Sequence, residues 1–422
     1  MINISKVFLK LSDKYKSVLI RILPITFLRS IKRLVIENSY KRMDKLHIES
    51  YDKTIYPLGI NLIGNIRAEI GLGQSCRLIA NTIESSKYDF TIINYVQLSA
   101  LHMNDYTWDY RMSETAKYNL NIIHINPYEL GLAYLQLDKS IWDYRYNIAF
   151  WLWELEEFPD EWTECIPYLN EIWTPSEFAS QSIRAKTDKP VITIPYWVTA
   201  PTDDSCTRKY FMLPEDKFLY LIMYDSSSTI ERKNPLGAIK AYLMAFEEEK
   251  EDVGLVIKIN NNQKNDIIAI KELTTGYSNV YIITDILEKQ QVNSLIECVD
   301  VFISLHRAEG FGLVLAEAML LGTPTIATNW SSNTEFMTDE TACLVDYKLI
   351  RIEKDCGIYK AGYRWADPNL LSASQYIIML HDNEEIYNKI AINAKKHISD
   401  CLGMNKAVRL IESRIAEINE NR

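Results

Sequence analysis

The sequence predicts an α/β protein built as two doubly wound, parallel-sheet domains that face each other across a central cleft. From Pro57 onward, short apolar runs of strand length alternate with longer helical patterns, and such alternation implies parallel strands joined by crossover helices. The alternation stops at a polar segment, residues 198 to 216, which holds Pro201, Asp203, Asp204 and Pro214, and then begins again. The length of 422 residues also calls for more than one domain of about 100 to 200 residues. In open sheets of this kind a ligand binds at the carboxyl ends of the strands.

In the first half, Gly59–Ile63, Phe90–Ile93, Asn121–Ile125 and Ile148–Trp151 read as strands, and Val191–Ile194 closes the run. A short loop with Arg67 and Glu69 leads to Gly71-Leu72-Gly73, which opens a helical stretch from Gln74 to Ile83. This glycine pair is not G-x-G-x-x-G, so a plain tight turn and a phosphate-facing loop both remain open readings. The second half supplies Phe218–Ile222, Val253–Ile259, Val280–Ile283, Val301–Leu305 and Thr325–Thr328 as strands, then helical patterns at Pro368–Leu380, Glu384–Ile398 and Asn405–Ile418. The resulting division is a basic N-terminal segment at 1–50, a first domain at 57–200, a second at 214–400 and a terminal helix at 401–422.

Apolar residues at 47% and charged residues at 24% match a soluble globular chain and exclude a disordered or membrane-embedded class. The seven cysteines are scattered and never spaced C-x-x-C, which argues for a reducing compartment and against zinc or disulfides. Lys6, Lys10, Lys14 and Lys16 interrupt the N-terminus, so no signal-peptide core is read there, and no run reaches the roughly 18 uncharged residues of a spanning helix. A cytoplasmic location follows as the expectation. Residues 1–50 nevertheless hold eleven Lys and Arg against four Asp and Glu; the chain as a whole is at −10, so the other 372 residues carry −17. Helical spacing places Ile4, Val7, Leu11, Tyr15, Val18 and Ile22 on one stripe beside Lys6, Lys10, Lys14 and Arg21. After Pro24, Phe27, Ile31, Leu34 and Val35 lie opposite Arg29, Lys32 and Arg33. Residues 1–36 can thus lie on an anionic membrane surface as a peripheral anchor, or pack on the protein body with solvated lysines. Nucleic acid is excluded as a partner by the acidic remainder and the lack of a recognition motif.

The densest chemistry lies directly after the run Val301–Leu305, in Glu309-Gly310-Phe311-Gly312-Leu313-Val314-Leu315-Ala316-Glu317. It reads as a glycine-bearing loop and a helix start with one carboxylate on each side. Glycines let the backbone approach a bulky anion, and the free N–H groups of the first helical turn point at it. Carboxylates repel phosphate but accept hydrogen bonds from sugar hydroxyls. A molecule with phosphates in the middle and polyols at both ends, a nucleotide sugar, meets both demands.

The E-x7-E spacing, preceded by Ser304-Leu305-His306-Arg307-Ala308 and followed by Ala318–Pro324, resembles the signature of the retaining glycosyltransferases of family 4, which have the GT-B fold. Phe150–Leu155, Glu171–Ser176, Asp225–Pro235 and Gly362–Pro368 resemble further blocks of that family in the same order. The resemblance implies two Rossmann-like domains with the C-terminal helix crossing back to the first. It also implies a metal-independent transfer of a hexose from a UDP- or GDP-linked donor to a hydroxyl acceptor, such as a glycan or lipid-linked glycan of bacterial surface polysaccharide synthesis. No cofactor and no metal are then expected.

Carried over residue by residue, Glu309 contacts the transferred sugar and Glu317 the ribose, while Gly310, Phe311, Gly312 and Leu313 lie near the diphosphate. Arg232 and Lys233 become the cations that neutralise the leaving diphosphate, since preorganised charge aimed at a developing anion is the largest catalytic effect open to such a site. Many relatives place an arginine five positions before that lysine, where this chain has Ser228, so Arg232 stands as a local substitute. Lys258, at a strand end, and the glycine loop of Gly71 and Gly73 are further donor contacts. His124 joins the catalytic set; Glu154 among Trp151 and Trp153, Asn126 and Arg67 are acceptor contacts. Ser331 and Ser332 stand where the family loop has glycines. A catalytically silent, nucleotide-sugar-binding accessory subunit is the second expectation. Glycoside hydrolysis needs two carboxylates but no diphosphate cradle, and an oxidoreductase is disfavoured because the dinucleotide fingerprint is missing.

Overall fold

The computed structural model describes residues 47–96, 103–226, 228–246, 250–261 and 263–421. The amphipathic helices expected within residues 1–36 lie outside them.

The first lobe is a six-stranded, all-parallel sheet in the order β2-β1-β3-β4-β5-β6. Its strands are β1 (Ile60–Gly64), β2 (Phe90–Asn94), β3 (Leu120–His124), β4 (Tyr146–Phe150), β5 (Glu171–Thr174) and β6 (Val191–Thr193), with helices α1 (Gly71–Glu84), α2 (Pro127–Gln136) and α3 (Glu177–Arg184) among the connections. Runs such as Leu62-Ile63 and Ile122-Ile123 are buried on both faces, as helix-covered parallel sheets require. One polar row crosses this interior. Asn61, Asn121 and Asn147 are in register and form an amide ladder, Asn61 Nδ2 to Asn121 Oδ1 at 2.9 Å and Asn121 Nδ2 to Asn147 Oδ1 at 2.7 Å.

β5 is the strand missing from the sequence expectation. Its four residues open on Glu171, a charge that argues against a central strand. The structure buries that carboxylate and satisfies it with Tyr146 Oη at 2.9 Å, Trp173 Nε1 at 2.5 Å and the Arg414 guanidinium at 2.6 Å.

The second lobe repeats the plan in the order β12-β11-β10-β7-β8-β9, from β7 (Phe218–Asp225), β8 (Val253–Asn260), β9 (Val280–Ile283), β10 (Val301–Ser304), β11 (Thr325–Thr328) and β12 (Cys343–Val345). Between these strands run α4 (Ile230–Lys233), α5 (Pro235–Ala245), α6 (Lys264–Leu273), α7 (Lys289–Cys298) and α8 (Leu313–Leu321). β12 and an antiparallel hairpin of β13 (Tyr347–Arg351) and β14 (Arg364–Pro368) were not anticipated from the sequence: β12 is only three residues long, and β13 is exposed throughout.

In both sheets the chain order reverses beside the first strand, between β1 and β3 and between β7 and β10. Strands there diverge toward opposite connections and leave a crevice at their carboxyl ends. The segments that follow β7 and β10 carry Arg232 and Lys233, in α4, and Glu309; those that follow β1 and β3 carry Gly71 and Gly73, at the start of α1, and Asn126. Residues 194–217 link the sheets without a strand or helix.

After α9 (Leu370–Asp382) and α10 (Glu384–Cys401), the helix α11 (Met404–Asn421) returns to the first lobe, as the resemblance implied. It packs on α1, pairs Arg414 with Glu171, and its Glu412 carboxylate accepts the Lys87 N–H at 2.7 Å. All seven cysteines are unpaired. No helix among the described residues is long and apolar enough to cross a membrane.

Candidate active site

β10 delivers the chain into the crevice, and the next residues are pinned from several sides. His306 is buried, its Nε2 3.0 Å from Asn333 Oδ1 and its Nδ1 3.2 Å from Ser304 Oγ. Burial lowers its pKa, and the Glu309 carboxylate opposes that shift. The Arg307 N–H donates to the Arg232 carbonyl at 2.7 Å, and its guanidinium meets Asp367 Oδ1 at 2.8 Å. The loops after β7 and β10 are therefore stitched together through main chain before any side chain reaches the site.

Glu309 sits at the centre. Its Oε1 is 2.5 Å from Lys233 Nζ and 3.2 Å from Arg232 Nη1. Burial alone would push its pKa up, but Lys233, Arg232 and His306 hold it down at about 2. Arg232 is itself buried and anchored, donating to the Ala308 carbonyl at 2.7 Å and to Ser228 Oγ at 3.1 Å. Glu154, from the loop after β4, adds a carboxylate beside Arg232 from the other lobe, and Tyr359 hydrogen-bonds with it. Glu309, Arg232, Lys233 and Glu154, four predicted residues, converge here; Tyr359 is a member that no local pattern in the sequence marked.

The loop geometry depends on two residues with positive φ. Gly312, at φ 89°, caps α8, a conformation that glycine reaches without steric cost. Ser331 holds φ 76° in the loop after β11, a backbone conformation in which a side chain is strained. The serine is not idle: its Oγ accepts the Glu309 N–H at 3.0 Å, and the Ser332 N–H reaches the Glu309 carbonyl at 3.4 Å. Gly310 lies where a Cβ would come within 3.2 Å of the Trp153 carbonyl, and its own carbonyl accepts Ser176 Oγ at 3.0 Å. Phe311 meets Tyr196 edge to face at 4.8 Å. The first lobe therefore rests directly on the Glu309–Gly312 loop, and Leu313 begins α8 behind it.

The remaining predicted residues are placed as follows. Glu317 is fully buried on α8 with Oε2 2.6 Å from Lys289 Nζ, and burial raises its pKa against the effect of that lysine. Lys258 is buried at the end of β8, its Nζ 2.5 Å from Asn260 Oδ1; burial lowers its pKa while Asp285 and Asp225 oppose this. Gly73 fits because a Cβ would strike the Ala68 carbonyl at 2.0 Å, whereas Gly71 faces open space. His124 is buried, stacked on Phe150 at 5.3 Å, with Nε2 2.6 Å from Ser75 Oγ, which also bonds Tyr196 Oη. Burial drives its pKa down to about 4. Asn126 precedes α2 and leaves Oδ1 without a partner among the described residues. Arg67 turns to Asp109 at 2.6 Å and lies over Tyr106, away from the Glu309 cluster. A hollow of about 490 Å³ opens between α3 and residues 329–335; Ser331 is in its lining, and the side chains of the Glu309 cluster are not. No group of three metal-ligating side chains converges among the described residues.

Comparison with known proteins adds to this geometry. Residues 229–350 match the family described as Glycosyl transferases group 1, a span that contains Arg232, Lys233, Glu309 and Glu317. No curated protein matches the chain. Among solved structures, a TarM variant of S. aureus in complex with Fondaparinux, alpha-GlcNAc-glycerol and UDP is similar with TM-score 0.52 and 12% identity, over 70% of this chain and 55% of that one. Anabaena Alr3699/HepE in complex with UDP and glucose gives TM-score 0.60 and 13% identity, over 85% of this chain and 100% of that one. Sucrose-phosphate synthase from Thermosynechococcus elongatus gives 0.61 and 13%, over 86% and 100%. The chain thus spans about half of the TarM chain and aligns with the whole of the other two. The protein has the GT-B fold, two Rossmann-like lobes about a crevice, and its residues 229–350 are similar to the Glycosyl transferases group 1 family.

Proposed function

We propose that the protein is a retaining, metal-independent glycosyltransferase of family 4 that moves a hexose from a nucleoside diphosphate donor to a hydroxyl acceptor, a glycan or a lipid-linked glycan. The observation that carries this reading is the cluster at the β7/β10 crevice: one ionised carboxylate, Glu309, held between Lys233 and Arg232 beside the first turn of α8. The cations meet the two negative phosphates of the donor, the N–H groups of Gly312 and Leu313 point toward them, and Glu309 accepts hydrogen bonds from the sugar.

In the reaction the bond between the anomeric carbon and the diphosphate oxygen breaks, and its electron pair leaves with the diphosphate. Arg232 and Lys233 stabilise that growing charge in a site already arranged for it. The acceptor hydroxyl adds on the same face, and its proton passes to the departing phosphate oxygen. The residues around the Glu309 cluster offer no evident covalent nucleophile. Contact between Gly310 and Trp153 and between Phe311 and Tyr196 limits water there, which favours transfer over hydrolysis. HepE and TarM, solved with UDP, support a uridine donor as the first to test, and a surface-polysaccharide acceptor is the corresponding expectation.

The test incubates the purified protein with radiolabelled UDP-glucose, UDP-N-acetylglucosamine and GDP-mannose. Slow donor hydrolysis that Glu309→Ala and Lys233→Ala each reduce at least about a hundredfold is the expected result. Nucleotide binding with no turnover of any donor would instead identify an accessory subunit.

A further inference from the structure

Glu317 and Lys289 form a pair whose lysine the proposed chemistry has not used. The Glu317 side chain has no exposed area; Oε2 lies in an ion pair 2.6 Å from Lys289 Nζ, neither oxygen has a hydrogen bond of good geometry among the described residues, and Oε1 has no charged neighbour either. A buried carboxylate is ordinarily paired and hydrogen-bonded on both oxygens; this one has its ion pair, but Oε1 is enclosed with no donor beside it. Lys289 is the first residue of α7, and a capping box between Glu288 and Gln291 fixes the main chain there. Its side chain, one third exposed, is the member of the pair that reaches the surface. α8 also packs against α10, β10 and β11, yet among the described residues Lys289 is the one charged group acting on Glu317.

We propose that Lys289 is a positioning residue for the donor: it keeps Glu317 an anion with Oε1 available, so that the carboxylate accepts hydrogen bonds from the ribose diol of a nucleoside diphosphate. The proposal rests on the nucleotide-sugar reading of the crevice. A vicinal diol presents two O–H donors, and an ionised carboxylate accepts both, whereas a protonated carboxyl has turned one oxygen into a donor. Burial raises the Glu317 pKa and Lys289 opposes the rise. Removing the ammonium therefore moves the carboxyl further up, and ribose recognition is lost progressively as the pH falls.

The experiment titrates the full-length protein calorimetrically with UDP, GDP and ADP, and then with the 2′,3′-dideoxy form of the one bound best, at about pH 8 and about pH 6. Lys289→Met is expected to weaken ribonucleotide binding about tenfold at the higher pH and further at the lower, and to lose the preference for ribose over dideoxyribose. Lys289→Arg restores both. Binding by Lys289→Met that equals or exceeds the wild type at both pH values, or that keeps the ribose preference, overturns the proposal. Wild-type protein that binds none of the three nucleotides overturns the nucleotide-sugar reading itself, and this proposal with it. If Lys289→Met fails to fold around an unpaired carboxylate, the double variant Lys289→Met, Glu317→Gln carries no such charge. It is expected to bind nucleotide with no ribose preference and no pH dependence, and a retained preference overturns the idea.

Discussion

Glu309 and Ser331 show how single residues set the site. Glu309 is held at a pKa of about 2, below its unfolded value, so its ion pairs stabilise the fold above the unfolded pKa. That contribution is lost as the pH falls from about 4.3 toward 2, and the shift corresponds to something on the order of 3 kcal/mol. Glu309→Gln forfeits it at neutral pH, and urea unfolding should show a gap from wild type that narrows across that acid window. A constant gap would mean that the charge is not what matters. Ser331 keeps a positive φ and bonds the Glu309 N–H, so strain and hydrogen bond oppose each other. Ser331→Ala keeps the strain and loses the bond, and should cost about 1 to 2 kcal/mol, whereas Ser331→Gly loses both and should lie near zero; thermal melts of the two decide. Glu309 was legible in the sequence because its glycines and both carboxylates are adjacent along the chain. Tyr359, Lys289 and the role of Ser331 were not, since each meets its partner across more than twenty residues and through a loop that no local pattern describes.

Elements built from β-branched and apolar runs were read close to their observed bounds, with Val280–Ile283 and Thr325–Thr328 coinciding at both ends, because such runs favour the pleated strand whether the strand is central or at the edge. β5 escaped for the opposite reason, a charge whose partner lies 243 residues away. That partner also fixes the last element. Arg414 on α11 meets a Glu171 carboxylate with no exposed area, while its own side chain is about one fifth exposed, so the return of α11 to the first lobe is anchored by a buried ion. Arg414→Met leaves that carboxylate with only neutral donors, Tyr146 Oη and Trp173 Nε1, and is expected to destabilise the protein by about 3 kcal/mol. The double variant with Glu171→Gln should recover part of the loss. Chemical denaturation of the two variants measures this, and an Arg414→Met midpoint equal to the wild type would show that apolar packing of α11 on α1 suffices.

At the scale of the whole molecule, the lobes meet through polar clasps around the Glu309 loop. Ser176 caps α3 and donates to the Gly310 carbonyl across the crevice. Glu335, from the other lobe, accepts the first two N–H groups of the same helix, Glu177 at 2.9 Å and Phe178 at 2.8 Å. The first two N–H groups of α3 are thus satisfied only while the lobes are together, whereas Ser176 keeps its own bond to the Ala179 N–H; losing such a cap costs about 1 kcal/mol. Burial raises the Glu335 pKa against those two N–H bonds, so the carboxylate sits in a place that disfavours its charge. Arg364 with Glu156 at 2.9 Å is an exposed pair and adds little, which leaves Glu335 as the contact to remove. Glu335→Ala should shift the population toward separated lobes, seen as a larger radius of gyration in small-angle scattering, and lower turnover several-fold by letting water into the crevice. The melting temperature should change by no more than the loss of one cap implies. Scattering curves that superimpose for the variant and the wild type would show that Ser176 and the aromatic contact between Phe311 and Tyr196 hold the lobes together without it.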